Sequence, residues 1–68
     1  MNRLREGIAS AADRLAEAGV PSPRFDAEEL AALSLGVDRR DLWRHDHAGE
    51  LFEAYVARRA GREPLQHI

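Results

Sequence analysis

The sequence predicts an all-α fold: a small four-helix bundle, five helices if a short turn is counted, ending in an extended linker. Three observations predict it. Strand-forming residues are scarce, with no Thr, five Val and Ile together, and aromatics at only 6% of the chain. Ala, Leu, Glu and Arg, all good helix formers, fill the sequence instead. Apolar residues then recur at helical spacing between Gly and Pro stops.

The first helix is predicted over Asn2 to Ala18, where Leu4, Ile8, Ala11, Leu15 and Ala18 form one stripe. Glu6, Asp13 and Glu17 fall on the opposite face, and Gly19 with Val20-Pro21 ends the helix in a turn. Ser22-Pro23 signals a second start, with a hydroxyl to cap the helix and a proline whose missing N–H costs nothing there. Asp26, Glu28 and Glu29 follow in the first two turns, where the helix dipole favours negative charge. This helix should run to about Leu35 and stop at Gly36. Ala27, Leu30, Ala31, Leu33 and Leu35 cover more than half its circumference, which implies a central position. Asp38 is placed to cap a short third helix, Arg39 to about Arg44, packing Leu42 and Trp43 inward. His45 to Gly49 reads as a polar connection. A fourth helix, roughly Glu50 to Ala60, carries Leu51, Phe52, Tyr55 and Val56 on one face and ends near Gly61. Pro64 forbids continuation, so Leu65 to Ile68 should be extended.

Sixty-eight residues make one small domain with a thin core. The absence of Cys excludes disulfides and thiolate metal sites. No apolar run reaches the ~18 residues of a membrane span, and no signal-peptide pattern opens the chain. Ten Arg against twelve acids leave a net charge of -2, the wrong sign for a nucleic-acid module. His45-Asp46-His47 could suggest zinc, but residues two apart on a helix share no face and a site needs three or four converging ligands. A solvated loop explains them better. Acid–base work by Asp26, Glu28 and Glu29 is likewise the weaker reading, because helix-start electrostatics already account for them. Phosphate loops, nucleophile elbows and H-E-x-x-H are absent, and no catalytic, cofactor-binding or metal-binding residue is assigned. Arg39, Arg40 and Arg44 around Trp43 imitate a helix-turn-helix recognition helix. Asp38, Asp41 and Asp46 interleave with them, however, which favours a solvated face together with a buried Trp.

The end of the chain is more informative. Arg58-Arg59-Ala60-Gly61-Arg62-Glu63-Pro64-Leu65-Gln66-His67-Ile68 resembles the junction of the HemK/PrmC family, bacterial methyltransferases that modify the glutamine of the Gly-Gly-Gln motif in peptide-chain release factors. Ser22-Pro23-Arg24-Phe25-Asp26-Ala27-Glu28 is similar to that family's second helix start. Gly36-Val37-Asp38-Arg39 with Leu42, and Leu4-Arg5-Glu6, also fit, so the resemblance covers nearly the whole chain. Two positions depart from it. Arg62 stands where the family usually has Gly, which implies a shifted or tighter helix end. His67 replaces the usual aromatic but keeps a flat ring.

The resemblance implies a release-factor-docking domain over residues 1–61 and, from 62 to 68, the start of a linker to a catalytic domain absent from this chain. Ending on Leu-x-x-Ile with no polar tail, the chain reads as part of a longer protein. S-adenosylmethionine is then the parent protein's cofactor, with none expected in this segment, and the implied setting is cytoplasmic. The implied partner is a release factor, with no nucleic acid and no membrane, and Leu65 and Ile68 offer a route to self-association. The alternative is a stand-alone helical protein- or DNA-binding module. One structural pair is also expected. Arg59 lies inside the apolar stripe of the fourth helix, and a guanidinium there needs a carboxylate. Asp26 is the first candidate and Glu28 the second, while snorkelling of Arg59 into water is the competing outcome.

Overall fold

The computed structural model describes residues 3–68. Among them are three α-helices and two 3-10 helices: α1 (Arg3–Glu17), α2 (Pro23–Leu35), a 3-10 helix (Arg39–Arg44), α3 (Phe52–Ala60) and a final 3-10 turn (Leu65–His67). The chain is therefore the all-α bundle that its composition predicts. Asn2, the expected start of the first helix, lies outside the described residues.

Apolar spacing explains the core. Leu4, Ile8, Ala11 and Leu15 turn one stripe of α1 inward, and all are buried. They meet Ala27, Leu30 and Ala31 of α2, Leu42 of the 3-10 helix, and Phe52 and Val56 of α3. Helix α2 contacts α1, the 3-10 helix and α3, which is the central position its broad apolar surface implies. The start of α1 is tied to the loop between the 3-10 helix and α3, where Leu4 N–H donates to the Asp46 carbonyl at 3.0 Å.

Several local expectations give way to specific geometry. Ser22 does not cap α2 with its hydroxyl. Its backbone (φ -126°, ψ 67°) lies outside the extended conformation that aims an N-cap oxygen at the first amides, and its carbonyl simply accepts the Asp26 N–H at 2.9 Å. Asp38 makes no side-chain cap either; its carboxylate turns to Arg40 at 3.6 Å. Only Leu42 of the Leu42–Trp43 pair is buried, and Trp43 remains partly in water. Six residues are enough for two 3-10 turns, whose threefold repeat places neighbours 42 and 43 on different faces. Leu33 is exposed on the side of α2 away from the core, and Leu51, expected on the apolar face of the fourth helix, lies just before the start of α3 at Phe52 and is exposed as well.

The C-terminal segment is not extended. His67 N–H donates to Pro64 O at 2.9 Å and Ile68 N–H to Leu65 O at 3.1 Å, closing a 3-10 turn that rests Leu65 and Ile68 against the core. Arg62 takes the left-handed conformation at φ 73°, while Gly61 just before it is right-handed at φ -77°. The position at which the resembling family usually has Gly is thus the one that needs a left-handed residue. Arg62 is held there by its own side chain, whose Nη1 donates to the Ala18 carbonyl at the end of α1, 3.2 Å away.

Gly49 faces a harder constraint. Its φ is 89°, and a Cβ at this position would sit 2.6 Å from Ser34 Oγ and 3.4 Å from the Ser34 carbonyl. Left-handed strain for an L-residue adds ~1–2 kcal/mol to that clash. Gly49→Ala should therefore destabilise the chain by on the order of 2 kcal/mol, whereas Gly61→Ala should fall within about 0.5 kcal/mol of the unaltered protein. Urea melts followed by helical circular dichroism measure both; equal effects would contradict the assignment of backbone strain to position 49.

Candidate functional site

Asp26 is the buried charged residue among those described, and it lies in the first turn of α2. Arg59 reaches it from the last turn of α3. The Arg59 Nε donates to Asp26 Oδ2 at 2.9 Å, with the two side chains only 16% and 8% exposed. The same guanidinium donates through Nη1 to the Glu63 carbonyl at 3.1 Å. One side chain thereby joins α3, α2 and the backbone that leads into the final turn. Arg58 works from the outer side, bonding the Glu63 carboxylate and donating to the His67 carbonyl at 3.3 Å.

Glu28, the second acid expected near Arg59, points elsewhere. Arg24 Nε donates to its Oε2 at 2.9 Å and Arg39 Nη1 to its Oε1 at 3.1 Å. Partial burial by itself would raise the Glu28 carboxyl, but the two arginine hydrogen bonds and their charges outweigh it and hold the pKa below the ordinary carboxylate range. Arg39 also meets Glu29 at 3.1 Å.

These arginines belong to a second cluster that sequence reasoning missed. The Arg39 guanidinium lies 4.7 Å from the centre of the Phe25 ring. Arg5 and Arg24 lie 5.2 and 5.9 Å from the Trp43 ring. Such distances are those of cation–π contact. Phe25 is 46% exposed and Trp43 39%, so both rings remain open to solvent beside their arginines. The cluster joins α1, α2 and the 3-10 helix, and no local motif spans residues so far apart. The available signals were Phe25, which falls outside the α2 apolar stripe, and a Trp among arginines in a helix of six residues.

Two open hollows flank the exposed Leu33. One, of about 510 Å³, is lined by Ala32, Leu33, Gly36, Val37, Asp38 and Asp41. The other, of about 500 Å³, lies between α2 and the final turn, against Glu29, Leu30, Leu33, Leu65, Gln66 and Ile68. Neither gathers the converging donors of a catalytic or nucleoside site. The polar connection His45–Gly49 is closed locally, with Gly49 N–H donating to His47 Nδ1 at 3.2 Å and His47 Nε2 lying 3.8 Å from Asp46. Among the described residues no three His, Asp or Glu side chains come together as metal ligands. No described helix is long and apolar enough to cross a membrane.

Sequence comparison relates the chain to known proteins. The sequence profile of the PrmC N-terminal domain matches residues 6–68. The chain is 56% identical to the release factor glutamine methyltransferase of Streptomyces coelicolor, across 100% of this chain and 25% of that protein. It is 54% identical to that of Mycolicibacterium smegmatis, across 100% of this chain and 26% of the relative. The Deinococcus radiodurans protein of the same description is 40% identical, across 97% of this chain and 26% of its own length. The chain thus spans about a quarter of these curated relatives. No solved structure matches it significantly.

Two outcomes follow from the pairs. Removing the Arg59 guanidinium leaves a buried carboxylate and the Glu63 carbonyl without their donor. Arg59→Ala should cost on the order of 3 kcal/mol, and Asp26→Ala a similar amount, with strong coupling in the double variant. Arg24→Ala, at an exposed pair, should cost under ~1 kcal/mol. Denaturant titration of the four proteins tests this, and additive effects at 26 and 59 would exclude a coupled pair. Glu28 supplies the pH signature. Its folded pKa is depressed, so its contribution is complete above the ordinary carboxylate range and fades as acid protonates it at lower pH. The unaltered protein should lose stability on acidification more steeply than Glu28→Gln; parallel pH–stability curves would contradict the assignment.

Proposed function

The chain belongs to the PrmC N-terminal domain family, and from that premise we propose that it is the substrate-docking domain of a release factor glutamine methyltransferase. The observation that carries this reading is the extent of the match. All of this chain aligns with about a quarter of proteins that bear that name, and it does so at 56% and 54% identity. The catalytic step then belongs to the remaining three-quarters. Residues 1–61 form the docking unit and residues 62–68 begin its connection to the catalytic domain. The partner is a peptide-chain release factor, whose Gly-Gly-Gln glutamine accepts the methyl group, and the setting is the cytoplasm.

S-adenosylmethionine supplies that methyl group in the parent protein. The two hollows among the described residues do not fit it. Both hollows are shallow and set aliphatic side chains beside carboxylates. Among the described residues the one buried side-chain polar atom left without a partner, Ser34 Oγ, lies against Gly49 and lines neither hollow. Docking is the role that remains within reach of such a surface. Contacts made far from the reacting glutamine can hold the substrate and limit its orientations, converting binding free energy into a lower barrier at a distant centre. A six-residue 3-10 helix with Asp41 among its arginines and Asp38 just before them offers no recognition helix for a DNA groove.

Calorimetric titration separates the roles. The chain should bind a purified release factor saturably and one to one, and should give no heat of binding with S-adenosylmethionine. Micromolar affinity for the cofactor alone would overturn the division of labour, and failure to bind any release factor would overturn the docking role.

A further inference from the structure

The surface cluster of rings and arginines has a physical character unlike the rest of the molecule. The core side chains Leu4, Ile8, Leu15, Leu30, Leu42 and Val56 are fully buried, and the other large apolar side chains exposed among the described residues, Leu33 and Leu51, are aliphatic. Phe25 and Trp43 instead face solvent from neighbouring elements, each with a guanidinium against its ring. We infer that this face, built on Phe25, Trp43, Arg5, Arg24 and Arg39, grips the protein partner, and that the partner presents carboxylates around an apolar side chain. The inference rests on the docking role proposed above.

Charge supports the assignment. Net charge over the chain is -2, yet this cluster sets three arginines, Arg5, Arg24 and Arg39, against two acids, Glu28 and Glu29. Glu28 lies beneath the cluster with its side chain 14% exposed, while Arg24 and Arg39, which bond it, are about half exposed. Each guanidinium has five donors, and Glu28 and Glu29 occupy only some of those on Arg24 and Arg39. Their planes are held by ring contact and by the acid below, so a bidentate carboxylate meets arginines that are already ordered. Little side-chain entropy is left to lose on binding. Trp and Arg around a desolvatable apolar centre are also the residues that dominate protein interfaces.

A protein fits better than a nucleic acid. Asp38, Asp41 and Glu29 border the arginines and remain accessible, so a continuous phosphate strand would meet repulsion along its path. A folded protein can place individual carboxylates between them.

The test uses the chain with 5-fluorotryptophan at Trp43, the sole Trp of the sequence, and an unlabelled, purified bacterial release factor. The fluorine resonance should shift on binding, and affinity should fall as salt rises. Arg39→Glu should weaken binding by about 30-fold or more. Arg5→Glu, which leaves Glu28 its two arginines, should do so as well, with circular dichroism verifying that each variant remains folded. Arg14→Gln, whose pair with Glu53 bridges α1 and α3, should leave affinity within about twofold of the unaltered chain. If the unaltered chain binds and both Glu variants bind equally well, the face is wrong while the docking role stands. No binding by the unaltered chain removes the docking role and this face with it. Displacement of the release factor by a single-stranded RNA oligonucleotide at physiological salt would reassign the face to nucleic acid.

Discussion

A carboxylate placed inside a chain this small must be matched, and the Asp26–Arg59 contact supplies the match. Asp26 sits where the dipole of α2 favours negative charge, and Arg59 sits where that of α3 favours positive charge. Two helix ends that are favourable for these charges locally are brought together across 33 residues of sequence. The guanidinium then spends a second donor on the Glu63 carbonyl. The position of the final turn therefore depends on the same residue that docks α3 on α2. Hydrophobic burial provides most of the driving force, but many helix rotations would bury similar area. The paired charge permits only one of them without an unmatched carboxylate.

The architecture was largely legible because it is written at the scale of one helix turn. Leu4, Ile8, Ala11 and Leu15 announce their shared face by spacing alone, and Gly36 marks the end of α2. The breadth of the α2 apolar surface shows its central place for the same reason. Local polar detail was less legible. Ser22 and Asp38 carry the composition of caps but make no side-chain cap, because capping depends on a backbone angle and a side-chain rotamer that composition does not specify. The final turn was hidden by Pro64, which forbids continuation of α3 yet is compatible with a new 3-10 turn directly after it. The ring–arginine cluster was hidden more deeply. Arg5, Arg24 and Trp43 become neighbours only after three elements have packed. Sequence near Trp43 pointed to a solvated face of Arg39, Arg40 and Arg44 with Trp43 buried, whereas Trp43 is partly exposed beside Arg5 and Arg24, and Arg39 turns back to α2.

Arg62 illustrates how a departure from a family pattern is absorbed. A left-handed residue is needed after α3, and Gly61 is one position too early to provide it. Arginine tolerates that conformation poorly by itself. Its hydrogen bond to Ala18 at the end of α1 supplies an offsetting contact that glycine lacks. The same bond links the C-terminal segment to α1, as Arg59 links it to α2. Residues 62–68 are consequently seated on the bundle by contacts from two helices and by burial of Leu65 and Ile68, a firmer attachment than the word linker implies.

These constraints meet in α2. One side of its first turns holds Asp26 against Arg59, and another presents Phe25 and Glu28 to the arginines at the surface. The helix start cannot rotate to relax the outer cluster without breaking the inner pair, because neighbouring residues on a helix move together. A surface fixed in this way loses little freedom when it meets a partner, so more of its contact free energy remains as affinity. The interior pair and the outer cluster are thereby coupled through a single turn of helix: what pins Asp26 in the interior also sets the angle at which Phe25 and the arginines face outward.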